Sequence, residues 1–155
     1  SRTVQLMACL RLWCVLATCV WLVGCGGTQT ASQVTEESTL KPVAVFYSRY
    51  VSQHGGQVPV DEAAFRKYLA TLSPEEFKGF GVASVDEMLV SKRYGQPYTI
   101  LYGPPPGPPL GPGGTPIIAY EKQGVGGKRF VASSIGGVTE VDDAEFARLV
   151  PQPAS

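Results

Sequence analysis

Few side chains in this sequence have types and spacings that could do chemistry, and most have a quieter explanation beside them. His54 is the sole histidine, which rules out a two-histidine metal site. A Ser-His-Asp arrangement built on it would lack a Gly-x-Ser-x-Gly elbow. Standing before Gly55, His54 fits a helix end, where a cation offsets the dipole. The acidic pairs Glu75-Glu76 and Asp142-Asp143 fall in the first turns of expected helices, so capping explains them better than general acid–base work. Gly124 to Lys128 lacks the Gly-x4-Gly-Lys-Ser/Thr spacing of a phosphate loop and reads as a hairpin turn. The thiols remain. Cys9, Cys14, Cys19 and Cys25 all lie in the first 25 residues. The rest of the chain therefore has neither a disulfide framework nor a thiolate metal site. No catalytic residue, metal or cofactor is expected.

Cys25 is the exception, because its neighbours specify a reaction. Leu12 to Gly24 is a thirteen-residue, almost wholly apolar run. As a helix it would be about 20 Å long, short of the roughly 30 Å hydrocarbon core, and its length suits the apolar region of a signal peptide. Arg11 is the cation immediately before it. Met7 reads as the start, with residues 1–6 an extension. Leu22-Val23-Gly24-Cys25 resembles the lipobox of bacterial lipoproteins. That resemblance implies thioether attachment of diacylglycerol to the Cys25 sulfur and cleavage between Gly24 and Cys25. Small residues before the cut let a protease reach extended backbone. One acyl chain anchors only marginally, whereas two or more anchor stably. The implied product is a domain tethered to a membrane through lipid on Cys25, on the extracytoplasmic side of a bacterial cell envelope.

Of 155 residues, about 130 remain without the leader, the length of one domain. Such a chain buries roughly two-thirds of its unfolded surface and needs no disulfide or metal to hold it. Loss of residues 1–24 removes Arg2 and Arg11 and no acid, leaving eleven bases against thirteen acids. That balance argues against a nucleic-acid partner and against electrostatic membrane binding. The adjacent bases Arg66-Lys67, Lys92-Arg93 and Lys128-Arg129 read as solvated faces.

Residues 25–41 are polar and poor in large apolar groups, and so read as a flexible tether. A single domain is expected over 42–150. Its first helix begins near Pro42, with Val43, Phe46, Tyr47, Tyr50, Val51 and His54 on one face, and Gly55-Gly56 stops it. A second helix fits 61–72, capped by Asp61. Ser73-Pro74-Glu75-Glu76 is a capping box with proline at the first helical position, and Leu72 and Phe77 stand at staple positions. Ser84 and Glu87 cap a turn before Met88-Leu89-Val90. Strands fit 97–102, 116–122, 128–134 and 138–141. Asp142 and Glu145 repeat the cap, Val141 and Phe146 the staple, and a last helix runs to about Val150 before the 151–155 tail. The fold class is α+β: N-terminal helices packed on a small antiparallel sheet, with a short C-terminal helix.

Between the first two strands lies a Pro/Gly-rich loop, 103–115. Proline removes donors and glycine raises the entropy cost, so neither helix nor sheet suits it. Polyproline II docks with little entropy loss, which makes Pro104, Pro105, Pro106, Pro108 and Pro109 the candidate binding residues.

The order of elements resembles the globular parts of type II secretion pseudopilins. Gly95-Gln96-Pro97-Tyr98, the stretch from Tyr120 to Gly137, and Asp143-Ala144-Glu145-Phe146 look like small uncharacterised lipoproteins of planctomycete-type bacteria. The similarity covers roughly 42–150. A pseudopilin keeps a long uncleaved apolar helix with an acid near its start, whereas this leader has a lipobox and no acid. The resulting expectation is a noncatalytic interaction or assembly module that meets an envelope protein. The alternatives are a small-ligand-binding lipoprotein and an enzyme with an unrecognised site. A deep pocket with convergent polar groups would favour either alternative. A solid core with an exposed apolar patch or open sheet edge would favour the module.

Overall fold

A computed structural model describes residues 39–104, 109, 111 and 114–150. The leader, Cys25, the tether up to residue 38 and the 151–155 tail lie outside the described residues. The described part is α+β. Four helices, α1 (Leu40–Gln53), α2 (Glu62–Leu69), α3 (Pro74–Lys78) and α4 (Val85–Met88), precede a four-stranded antiparallel meander. Its strands are β1 (Thr99–Ile100), β2 (Ile117–Tyr120), β3 (Lys128–Ser133) and β4 (Val138–Asp142), paired in sequence order, and α5 (Asp143–Leu149) follows.

Helix α1 starts two residues before the expected Pro42 and takes residues 39–41 out of the tether. Leu40 is fully buried and Thr39 nearly so. The Thr39 hydroxyl donates to Val90 O at 2.6 Å and lies 2.8 Å from the Tyr98 hydroxyl. It is thereby spent on tertiary bonds and makes no helix cap. Lys41 Nζ donates to Gly136 O at 2.6 Å, fixing the start of α1 to the β3–β4 turn.

The helix starts read from spacing form through side-chain caps. Asp61 accepts from Ala64 N–H at 2.7 Å, Ser84 from Glu87 N–H at 3.1 Å, and Asp142 from Glu145 N–H at 2.8 Å. Glu76 accepts from Ser73 N–H at 3.0 Å and pairs with Arg49 of α1. These two contacts, the backbone one first, hold its carboxyl below the usual range. Arg66 bonds both Glu62 and Asp86, tying α2 to α4. Helix α2 is shorter than expected. Its last turn closes through Thr71 N–H to Tyr68 O, leaving Leu72 half-buried in the corner before α3.

Helix α1 covers one sheet face. Val43, Phe46 and Tyr47 join Phe65, Met88, Ile118, Ala119, Phe130 and Ala132 in the main core. Helix α5 covers the other face, where Phe146, Leu149 and Val150 meet Ile117, Val131 and Val141. Strand alternation sorts β3 accordingly, Phe130 and Ala132 to one face and Val131 to the other. Each large side chain so buried contributes about 1.5–3 kcal/mol. The β3–β4 register runs unbroken from Lys128↔Asp142 to Ala132↔Val138, whereas β2 slips a residue against β3 between Ile117 and Ala119.

Strand β1 is shorter than the sequence predicts. Only Thr99 and Ile100 pair in register with β2. Tyr98 N–H turns instead to Leu89 O, and Leu101 N–H reaches Ile118 O. Gly126 and Gly127 both take positive φ in the β2–β3 turn, as a tight hairpin requires.

Candidate functional site

At the slipped register of β2 a cavity of about 540 Å³ opens between the two cores. An extra residue in one strand locally breaks the alternation of faces. Here the neighbours Ile117 and Ile118 both reach the cavity wall. Tyr47 and Val51 of α1 form a second wall, Gly56 and Val58 of the α1–α2 loop a third, and Val150 after α5 closes the far side. Leu101, Tyr102, Gly103 and Pro104 form the rim where the Pro/Gly-rich loop departs. Among the described residues no charged side chain lines it.

Three bonds fix this rim. Tyr47 Oη donates to Leu101 O at 3.0 Å, Leu101 N–H to Ile118 O at 2.8 Å, and Gly103 N–H to Pro59 O at 2.9 Å. Gly103 has φ of +74°, a conformation glycine adopts without a Cβ clash. The loop's other end is equally tight. Gly111 is buried, and its N–H donates to Thr115 O at 2.9 Å. The loop expected over 103–115 is therefore anchored at both ends. Burial pushes the Tyr47 phenol up to about 12, with Tyr50 adding to the shift. Burial, then the nearby Glu62, pushes Tyr102 up to about 12 as well. Both hydroxyls stay neutral across physiological pH and act as hydrogen-bonding groups.

Of the proline candidates, Pro104 lines the rim and is exposed, as is Pro109. Pro105, Pro106 and Pro108 lie outside the described residues. His54 caps α1, with Nδ1 2.8 Å from Tyr50 O and its ring stacked on Tyr50 at 3.8 Å. The helix-end reading holds for it. Asp142 caps α5 and Asp143 pairs with Arg129.

Two bases expected on solvated faces are instead mostly covered. Arg129 lies over the Phe146 ring at 4.0 Å. Arg93 belongs to a network that sequence reasoning missed, centred on Glu121, which is fully buried. Ser91 Oγ donates to Glu121 Oε1 at 2.6 Å. Arg93 Nη2 and Phe130 N–H donate to Oε2 at 2.7 and 2.8 Å. Arg93 also reaches Glu140 at 2.5 Å. With both oxygens of Glu121 engaged, the cluster staples the 91–96 turn to the sheet. Its one sequence signal is an acid at the end of an apolar strand, Ile117-Ile118-Ala119-Tyr120-Glu121.

Among the described residues no group of three or more His, Cys, Asp or Glu side chains is placed to hold a metal ion. No described helix is long and apolar enough to cross a membrane. Comparison with family models, with curated proteins and with solved structures finds no match.

Proposed function

We propose that this chain is a membrane-anchored lipoprotein of the bacterial cell envelope and that its domain is a noncatalytic interaction module. The Leu22 to Cys25 sequence supplies the anchor. A short tether raises the domain's effective concentration beside other envelope components. The supporting observation is the apolar end of the domain, where Pro104 stands on the hydrogen-bonded rim of a cavity that no described charged side chain lines. A rigid apolar rim with proline beside it suits recognition by shape, because little order is lost on docking.

The test is exchange of residues 104–110 for a Gly/Ser linker in the full chain, keeping Gly111 for its tight turn. The melting temperature should change little, and the protein cross-linked to the wild type in intact cells should disappear from the pull-down. Capture of the same protein by the exchanged chain moves the contact away from the loop. A defined turnover lost on mutation of His54 would overturn the noncatalytic reading. The cavity volume favours one second reading, binding of a small molecule, since such sites span about 300–1,000 Å³.

A further inference from the structure

We propose that the cavity between α1, the β2 bulge and the α1–α2 loop holds a single acyl chain whose head group is uncharged, as in a monoacylglycerol. The proposal rests on the tethered reading above, which sets the cavity beside a bilayer.

Three observations select this ligand. The walls are Val51, Val58, Leu101, Ile117, Ile118 and Val150, and a flexible hydrocarbon gains about 0.8 kcal/mol for each methylene such walls remove from water. The cavity has the volume of a small-molecule site rather than of a packing defect.

The polar groups at the cavity are hydroxyls and backbone. Tyr102 stands at the rim and Ser134 in the wall, each able to donate and to accept. A glycerol or ester head needs such partners. A carboxylate or phosphate needs a cation or several N–H groups, and among the described residues no cation lines the cavity. Asp61 and Glu62 act electrostatically on Tyr102 together with Arg66, and Arg66 is already bonded to Glu62 and Asp86.

The geometry also gives an entrance. Val58, half-buried on the α1–α2 loop, lines the cavity together with Leu101 and Tyr102. A chain can enter there without parting the sheet.

The experiment uses the full chain reconstituted into phosphatidylcholine vesicles. These are doped with a monoacylglycerol carrying a photoactivatable diazirine on its acyl chain, or with the corresponding fatty acid. After illumination, labelled peptides are mapped by mass spectrometry. The monoacylglycerol should label peptides containing Val51, Val58 or Leu101, and excess unlabelled monoacylglycerol should remove that label. Val58→Trp, which fills the entrance, and Val58→Asp, which charges it, should each lower the labelling about tenfold at unchanged circular dichroism. The fatty acid should label the same peptides more weakly. Label that does not saturate on the wild type, or that lies only outside these peptides, overturns the proposal without any variant having to fold. Equal or stronger labelling by the fatty acid overturns the uncharged head group. The interaction reading fails separately, through retention of the cross-linked protein after the 104–110 exchange, an exchange that leaves Val58 and the cavity walls other than Pro104 in place.

Discussion

The guanidinium of Arg93 lies 3.9 Å from the centre of the Phe130 ring while its Nη2 holds the buried carboxylate of Glu121 at 2.7 Å. The two contacts divide the cation's needs, the ring face taking its flat side and the carboxylates of Glu121 and Glu140 its edge. The 91–96 turn, which has little apolar substance of its own, is thereby bound to the middle of the sheet.

Removal of Arg93 leaves the buried Glu121 carboxylate with neutral donors only, and removal of Glu121 leaves the mostly covered Arg93 with Glu140 alone. Glu121→Ala or Arg93→Ala should each destabilise by about 3 kcal/mol, the low end for a broken buried pair because Arg93 keeps some contact with water. The paired change Arg93→Met with Glu121→Leu should cost clearly less than the sum of the two alanine variants. Urea unfolding with an unchanged slope measures all three. Strict additivity would mean that the two side chains stabilise the fold independently.

Tyr47 and Tyr102 should make stability fall at alkaline pH. Each folded phenol sits at about 12 against an ordinary value of 10.0. The unfolded chain therefore releases these protons first, and stability present below pH 10 is lost as the pH rises towards 12. Tyr102→Phe should flatten part of that loss, and tyrosinate absorbance should show a class of phenols that ionises last. Tyr47→Phe should also cost about 1 kcal/mol at neutral pH, because Leu101 O loses its donor.

Thr39 and Leu40 are buried parts of the fold, ahead of the expected start at Pro42. A chain shortened to residue 39 should unfold in urea like the mature chain. One shortened to residue 42 should lose about 2–5 kcal/mol with Leu40 alone. Identical unfolding of the two would return the boundary to Pro42.

What was legible in the sequence is what is local. The caps at Asp61, Ser84 and Asp142 join residues three apart, and a three-residue spacing can be read directly. The hairpin at Gly126-Gly127 is equally short-range. The buried network was not legible, since Arg93 and Glu121 are 28 residues apart and Thr39 and Tyr98 are 59 apart. A lysine-arginine pair in a polar turn looks the same in sequence whether solvent or a carboxylate receives it. The β2 bulge escaped for another reason. Ile117-Ile118-Ala119 is apolar throughout, so no alternation shows where the register slips. The cavity depends on that slip and stayed hidden with it. Strand β1 is shorter than propensity predicts because propensity is blind to which backbone groups find a partner.

Gly111 tests how firmly the far end of the loop must be held. A Cβ there would stand 2.2 Å from Thr115 O and 3.1 Å from Ile117 Cδ1. Gly111→Ala should therefore shift backbone beside the cavity and cost about 1–3 kcal/mol. Gly103→Ala meets open space but keeps a positive φ, for a cost of about 1–2 kcal/mol. Thermal melts should rank Gly111→Ala as no milder than Gly103→Ala. The reverse order would show that the Gly111 turn relaxes easily.

Cys25 carries the proposed anchor, and a labelling experiment tests it. An apolar stretch of thirteen residues is too short to span a bilayer comfortably, and in the lipoprotein reading proposed above stable attachment would come from acyl chains on the sulfur that follows it. Growth with a labelled fatty acid should label the protein, and Cys25→Ala should abolish the label and slow removal of the leader. The label should also survive neutral hydroxylamine, which strips simple thioesters, and be released by alkaline hydroxylamine, which cleaves the acyl esters of a thioether-linked diacylglycerol. Absence of label on the wild type would sink the anchor. It would also place the acyl-chain cavity on a soluble domain, where its occupant would have to be carried through water.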